Sequence, residues 1–219
     1  MFVQASLIAL NWNAIDAVNL VEGTIFTLLS HTILTTLTAL LLPWLCFLKL
    51  ERKLTLKSQR DGLTKLANRE HFFSQIKQYW GNYPTLPSGL MMIDIDLFKS
   101  VNDKFGHAFG DRAIKSVARV LSKQLRNNDI LGRIGGEEYA VLLVDTDKQK
   151  ALSIAQKLCD QVATQLRVIE DQPVELTISI GLLQLIPADL SHTDAYEAAD
   201  VALYTSKASG RNIVTLHEI

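Results

Sequence analysis

From Gly23 to Leu48 the chain carries no Asp, Glu, Lys or Arg, and Leu, Ile and Thr dominate these 26 residues. A helix needs roughly 20 apolar residues to cross a bilayer, so this run is long enough. Its polar members are mostly Thr and Ser, whose hydroxyls can bond back to their own helix. Pro43 should kink the last turn or mark the interfacial end, and Trp44 stands where an interfacial aromatic is expected. Ahead of the run the only charges are Asp16 and Glu22; behind it Lys49, Arg52, Lys53, Lys57 and Arg60 face Glu51 alone. Positive charge stays on the cytoplasmic side. The expected organisation is therefore a short extracytoplasmic segment at 1–22, a transmembrane helix at 23–48, a basic juxtamembrane linker at 49–60 and a cytoplasmic domain at 61–219. A cleaved signal peptide fits poorly, because no positive region precedes an apolar run that starts late and runs long.

Beyond the linker the pattern changes to alternating elements. Leu63, Leu66, Phe72, Phe73, Ile76 and Tyr79 have helical spacing, and Gly89 to Ile95 is a short, almost continuously apolar run that reads as a buried strand. Helices are expected at about 97–104, 110–126, 147–166 and 193–209, and strands at 130–134, 139–144, 174–185 and 213–216. The second and third strands meet at Gly135-Gly136-Glu137-Glu138, a hairpin signal. The expectation is an α/β domain with a central five-stranded sheet flanked by helices. The net charge of −1 gives no case for a nucleic acid polymer as partner. Two cysteines, Cys46 and Cys159, are too few for a disulfide framework or a cysteine-based zinc site.

Three clusters bring carboxylates and glycines together. Asp94-Ile95-Asp96-Leu97-Phe98-Lys99 ends the first buried strand, a common ligand position in open α/β sheets. Asn102-Asp103, Gly106-His107 and Gly110-Asp111 follow, and Gly135-Gly136-Glu137-Glu138-Tyr139 forms the hairpin tip. Adjacent glycines let a backbone approach a bulky anion such as a phosphate. Two glutamates beside them would repel that phosphate unless a cation lies between. Mg²⁺ or Mn²⁺, bound by oxygen ligands and shared with substrate phosphates, resolves the conflict. Asp94 and Glu137 could clamp such an ion if the first strand and the hairpin are neighbours.

In this order the clusters resemble the GGDEF-domain diguanylate cyclases. Glu stands at 137 where the family name has Asp, and Tyr139 stands for Phe; both keep the carboxylate and the aromatic ring. Asp61-Gly62-Leu63-Thr64-Lys65-Leu66-Ala67-Asn68-Arg69 matches the family's opening motif, Thr177 to Gly181 a core strand, and Ala199 to Asn212 the closing motif. The resemblance covers about 58–219 and leaves the head uncovered. It implies an α+β cyclase-like fold with GGEEY on a β-hairpin. It implies condensation of two GTP into cyclic di-GMP with release of two pyrophosphates, across a homodimer. It also implies a bacterial setting; with the apolar run and the basic linker behind it, the expectation is a single-pass protein of the cell inner membrane, in contact with membrane lipid.

Carried over residue by residue, the resemblance assigns metal binding to Asp94, the Ile95 carbonyl, Glu137 and Glu138. Glu137 is also the base for the 3′-hydroxyl, and Lys99 stabilises charge in the transition state. Asn102 and Asp111 hold the guanine edge and His107 supports the nucleotide. Gly135 and Gly136 let the phosphates approach, and Lys207 and Arg211 hold them. Arg126-Asn127-Asn128-Asp129, five residues before Gly135, has the form and spacing of an inhibitory product site carried by Arg126 and Asp129. The alternative is a non-catalytic module that binds GTP or cyclic di-GMP. A cyclase making a cyclic mononucleotide is a third reading, disfavoured by Asn102 and Asp111.

Overall fold

The computed structural model describes residues 21–22, 24–49 and 59–217. The expected extracytoplasmic segment, apart from its last two residues, and most of the basic linker lie outside them. The chain divides into two compact units, Met1–Leu56 and Lys57–Ile219.

In the first unit Thr24–Lys49 is one helix, α1, with a mean hydropathy of 1.8 and none of its apolar window buried. Thr32 donates to the Leu28 carbonyl at 2.7 Å, Thr36 to Thr32 at 2.8 Å and Thr38 to Leu34 at 2.9 Å. The hydroxyls are thus satisfied within the helix, which removes the main cost of placing them in hydrocarbon. The helix continues through Pro43 to Lys49, so this proline does not end it.

In the second unit the elements run α2 (Arg69–Asn82), β1 (Ser88–Ile95), α3 (Phe98–Phe105), α4 (His107–Gln124), β2 (Ile130–Arg133), β3 (Glu138–Leu143), α5 (Lys148–Gln165), β4 (Val168–Ile169), β5 (Gln172–Pro173), β6 (Ile178–Leu185), α6 (His192–Ala208) and β7 (Val214–His217). The main sheet has five strands in the order β2-β3-β1-β6-β7, and β4 and β5 form a separate ribbon. β1 lies between β3 and β6, antiparallel to both, while β6 and β7 are parallel.

Every residue of β1 is buried, because helices cover both faces of the sheet. Met91, Ile93 and Ile95 pack with Val117 and Leu121 of α4 and Leu158 of α5. Leu90 and Met92 pack on the other face with Phe72, Ile76 and Trp80 of α2 and Leu203 of α6. Alternation along one strand thus feeds two cores, which is why its sequence reads as a continuous apolar run. α6 comes so close to β6 that a Cβ at Gly181 would lie 2.2 Å from the Ala199 carbonyl oxygen. That close approach fixes the depth of α6 and of Lys207 in its last turn.

The two largest differences from expectation are at the starts of α2 and β6; α4 also begins three residues early, at His107. α2 begins at Arg69, not near Leu63. The Asp61 carboxylate takes the backbone N–H groups of Leu63 (3.2 Å) and Thr64 (2.7 Å) and the Thr64 hydroxyl (2.7 Å), closing a turn, and Asn68 caps the helix. Leu63 and Leu66 still pack against the core from this turn, so their helix-like spacing serves a loop. The strand expected from Val174 begins at Ile178, and the chain before it forms the β4–β5 ribbon. Glu170 and Asp171 turn that ribbon with left-handed φ values of 46° and 65°, a geometry that Asn-Gly usually signals and this pair does not.

Candidate active site

The carboxyl end of β1 and the tip of the β2–β3 hairpin are neighbours. Asp94 sits opposite Glu138 in the β1–β3 register, and the Ile95 N–H donates to the Glu137 carbonyl at 3.3 Å. The condition for Asp94 and Glu137 to share a site is therefore met. Arg133 sets the shape of the tip. Its guanidinium donates to the Gly136 carbonyl at 2.7 and 3.1 Å and to the Asp61 carboxylate at 3.0 and 3.1 Å. This fork holds the glycine turn against the opening segment, and Glu138 folds its carboxylate back over Gly135.

Asp94 is 7% exposed. Burial raises its pKa to about 6; the Lys207 ammonium opposes the shift, while Glu137 and Glu138 add to it. Lys207 Nζ lies 2.8 Å from Asp94 Oδ2. One ammonium thus stands against three neighbouring carboxylates. The site has more negative charge than its own cation offsets, and its donors are hard oxygens. That donor set suits Mg²⁺ or Mn²⁺. Among the described residues no three His, Cys, Asp or Glu side chains form a closed metal cage. Mg²⁺ shared with substrate phosphates does not need one, since it takes only one or two carboxylates from the protein.

Lys207 therefore lies on a carboxylate here, whereas the family resemblance assigns it to phosphates. Arg211 is exposed in a loop where Gly210, Arg211 and Asn212 all have positive φ, at 117°, 65° and 51°. Asp96 anchors this loop. Its carboxylate accepts from the Asn212 N–H (3.0 Å), the Thr177 hydroxyl (2.7 Å) and the Ser179 hydroxyl (2.6 Å). β1, β6 and the closing loop are thereby tied together at the mouth of the site.

α3 and α4 supply the other wall. The N-cap of α3 is Leu97, whose φ of 52° is left-handed and whose side chain makes no capping hydrogen bond, so the helix's positive end is open to an anion. Lys99 is exposed in the first turn. The Asn102 Oδ1 is buried without a partner among the described residues. It lies where a Cβ at Gly110 would be, 1.9 Å from that position, so glycine there admits the amide against α4. Asp111 follows Gly110 immediately and is exposed, as is His107 in the first turn of α4. The structure thus brings Asn102 and Asp111 to one junction, with an unpaired acceptor at its base.

Arg126 and Asp129 lie apart from this cluster. β3 runs from Glu138 at the site to Leu143, and Asp129 contacts the chain just beyond that far end. Its carboxylate accepts from the Arg126 N–H (2.9 Å) and the Val144 N–H (3.3 Å), and Arg126 Nη2 donates to the Thr146 hydroxyl at 2.8 Å. The pair borders a groove of about 410 Å³ that Arg60, His71 and Gln75 also line.

Sequence reasoning named the segments that meet at this site but missed the roles of Asp61, Asp96, Arg133 and Thr146. The Asp-Ile-Asp doublet flags two carboxylates at a strand end without saying which serves β6. Tyr139 gains a reason: its hydroxyl donates to the Ile114 carbonyl of α4 at 2.7 Å, so the extra oxygen is satisfied inside the core.

The family model for the diguanylate cyclase GGDEF domain matches residues 58–213. The chain is 37% identical over 167 residues to the probable diguanylate cyclase DgcT of Escherichia coli K12, a match covering 74% of this chain and 36% of that protein. It is 36% identical over 163 residues to diguanylate cyclase A of Treponema denticola, covering 71% of this chain and 43% of that protein. The matches span less than half the length of these curated relatives. Among solved structures, the GGDEF domain of DgcB from Caulobacter crescentus in complex with c-di-GMP superposes with a TM-score of 0.69 at 31% identity, covering 74% of this chain and 94% of that one. With its carboxylate-rich hairpin tip paired to β1 and its closing loop anchored beside it, the chain belongs to the diguanylate cyclase GGDEF-domain family.

Proposed function

We propose that this chain is a membrane-anchored diguanylate cyclase that condenses two GTP into cyclic di-GMP and two pyrophosphates. The observation that carries the reading is the buried Asp94 beside Glu137 and Glu138, with Lys207 as its one direct cation among the described residues. Excess negative charge at a strand end suits a divalent cation that arrives with nucleotide phosphates. When bound, Mg²⁺ or Mn²⁺ would be held by Asp94, the Ile95 carbonyl, Glu137 and Glu138, and would neutralise the phosphates as charge develops.

The chain's own residues then position and polarise. Asn102 and Asp111 offer the guanine edge an acceptor pair, and His107 borders the same wall. Gly135 and Gly136 admit the phosphates. Lys207 and Arg211 would hold the phosphate oxygens. Glu137 takes the proton of the 3′-hydroxyl. The freed oxygen forms a bond to the α-phosphorus of the other GTP, and the bond from α-phosphorus to its bridging oxygen breaks, sending the electron pair out with pyrophosphate. Lys99 stabilises the negative charge of that transition state. Such chemistry depends on alignment and charge compensation more than on covalent help. Each domain holds one GTP, so the reaction needs two copies face to face, most simply as a symmetric homodimer.

In the same reading α1 crosses the cell inner membrane within the 23–48 span. Residues 1–22 lie outside it; the 49–60 linker and the 61–219 domain lie in the cytoplasm. Arg126 and Asp129 form a product-inhibition site.

The test is to incubate the full chain, in detergent, with GTP and Mg²⁺ and to identify products by mass. Cyclic di-GMP is expected from the wild type and none from a Glu137→Ala variant with an unchanged circular dichroism spectrum. GTP or cyclic di-GMP binding without turnover by the wild type would instead make this a receptor module.

A further inference from the structure

α4 carries a charge pattern that nucleotide chemistry does not explain. Arg112, Lys115, Arg119 and Lys123 follow at spacings of three, four and four residues. On a helix these positions fall in one narrow stripe about 16 Å long. Ala113, Ile114, Val117, Ala118, Val120 and Leu121 fill the buried side, so the stripe faces outward. Arg112 Nε pairs with Glu170 Oε2 at 2.8 Å, while among the described residues Lys115, Arg119 and Lys123 have no ion pair. Like charges four residues apart work against a helix, so the stripe is a burden on the isolated fold. It lines a groove of about 610 Å³ together with Val168 of the β4–β5 ribbon. Val168 is 56% exposed. Cations around an exposed aliphatic side chain have the chemistry of a surface that meets lipid headgroups.

The C-terminal end of the stripe adjoins residues that share a groove with the start of the domain. Ser122, Leu125 and Arg126, at the end of α4, line one groove with Arg60, among the first described residues of the domain. Lys123 is therefore close to where the domain joins the basic linker. The nine residues between Lys49 and Gln59 let those two residues lie at most about 35 Å apart when fully extended. Headgroup potential decays within about 10 Å, so only a closely tethered surface feels it, and tethering makes a weak site sufficient.

We propose that the Arg112–Lys123 stripe, with Val168, docks the catalytic domain onto anionic lipid headgroups of the membrane that anchors the chain. The inference rests on the membrane anchoring proposed above. Docking would fix which face of the domain remains free to meet a second copy.

The full chain is reconstituted in vesicles of phosphatidylcholine alone or mixed with phosphatidylglycerol, with the domain outside. Amine labelling read by mass spectrometry then reports Lys115 and Lys123, with Lys77 on the opposite sheet face as internal reference. Both stripe lysines should be protected in anionic vesicles, exposed in neutral ones, and exposed again at high salt. Arg119→Gln should lower the protection about fivefold, the weight of one cation at such a surface. Equal labelling in the two vesicle types, with the chain resistant to alkaline extraction, overturns the docking proposal alone. Release of the chain by alkali overturns the anchoring and the docking together. Protection by added duplex DNA but not by anionic vesicles also overturns docking and assigns the stripe to nucleic acid.

Discussion

Asp94 and Asp96 leave the same strand two residues apart, are both buried, and are treated in opposite ways. Asp96 accepts from two hydroxyls and a backbone N–H and is fully used in joining β1, β6 and the closing loop. Asp94 has one ammonium, two carboxylate neighbours and a pKa pushed up to about 6. A carboxylate that folding satisfies is structural. One that folding leaves in conflict waits for a ligand to resolve it. The contrast separates scaffold from chemistry where the sequence shows only Asp-Ile-Asp.

The sharpest way to break this contrast is Asp94→Asn, which keeps shape and removes the charge. Cyclic di-GMP formation should fall about a thousandfold, the scale of losing a central electrostatic contact. Activity near wild type would remove Asp94 from the metal site. Asp96→Ala should do the reverse damage. Two hydroxyls and one N–H lose their acceptor near the core, which costs roughly 3–4 kcal/mol by urea denaturation. A well-folded but inactive Asp96→Ala would make Asp96 a ligand, and the distinction between the two aspartates would collapse.

The pH dependence of stability sharpens the same comparison. A carboxyl whose folded pKa is raised from 3.8 to about 6 favours the fold in its protonated form. That contribution is complete below the unfolded value and is lost as pH rises through the folded one. From about pH 3.5 to pH 7 the wild type should therefore lose roughly 3 kcal/mol relative to Asp94→Asn. Paired denaturation curves cancel the titration of the other groups. A constant difference across that range would mean that burial does not strain Asp94.

How much of this was legible before the structure follows from range. β1 announced itself because both of its faces are covered, and the GGEEY tip because hairpin chemistry is local. The opening segment misled because Leu63 and Leu66 have helical spacing, while the Asp61 carboxylate competes for the N–H groups that a helix would leave free. The β4–β5 ribbon was missed because Glu170-Asp171 adopts a left-handed turn without the residues that favour one. Asp96 and Arg133 were seen as letters but not as roles. Their partners, Ser179, Asn212 and Asp61, lie 72 or more residues away in the chain, and only tertiary pairing reveals them.

The two ends of β3 offer the last and mildest test. At the Glu138 end the charges conflict; at the far end Arg126, Asp129 and Thr146 satisfy one another. A product that binds there must compete with these contacts, and the Arg126 side chain, 54% exposed, has donors left to offer it. Arg126→Ala should therefore relieve inhibition by added cyclic di-GMP while the initial rate changes by less than about twofold, because surface changes away from the reacting groups have small effects. The measurement is initial velocity against added product for both proteins. Unchanged inhibition would leave Arg126 and Asp129 as a helix-end clasp, and the self-satisfied geometry would then need no ligand to explain it.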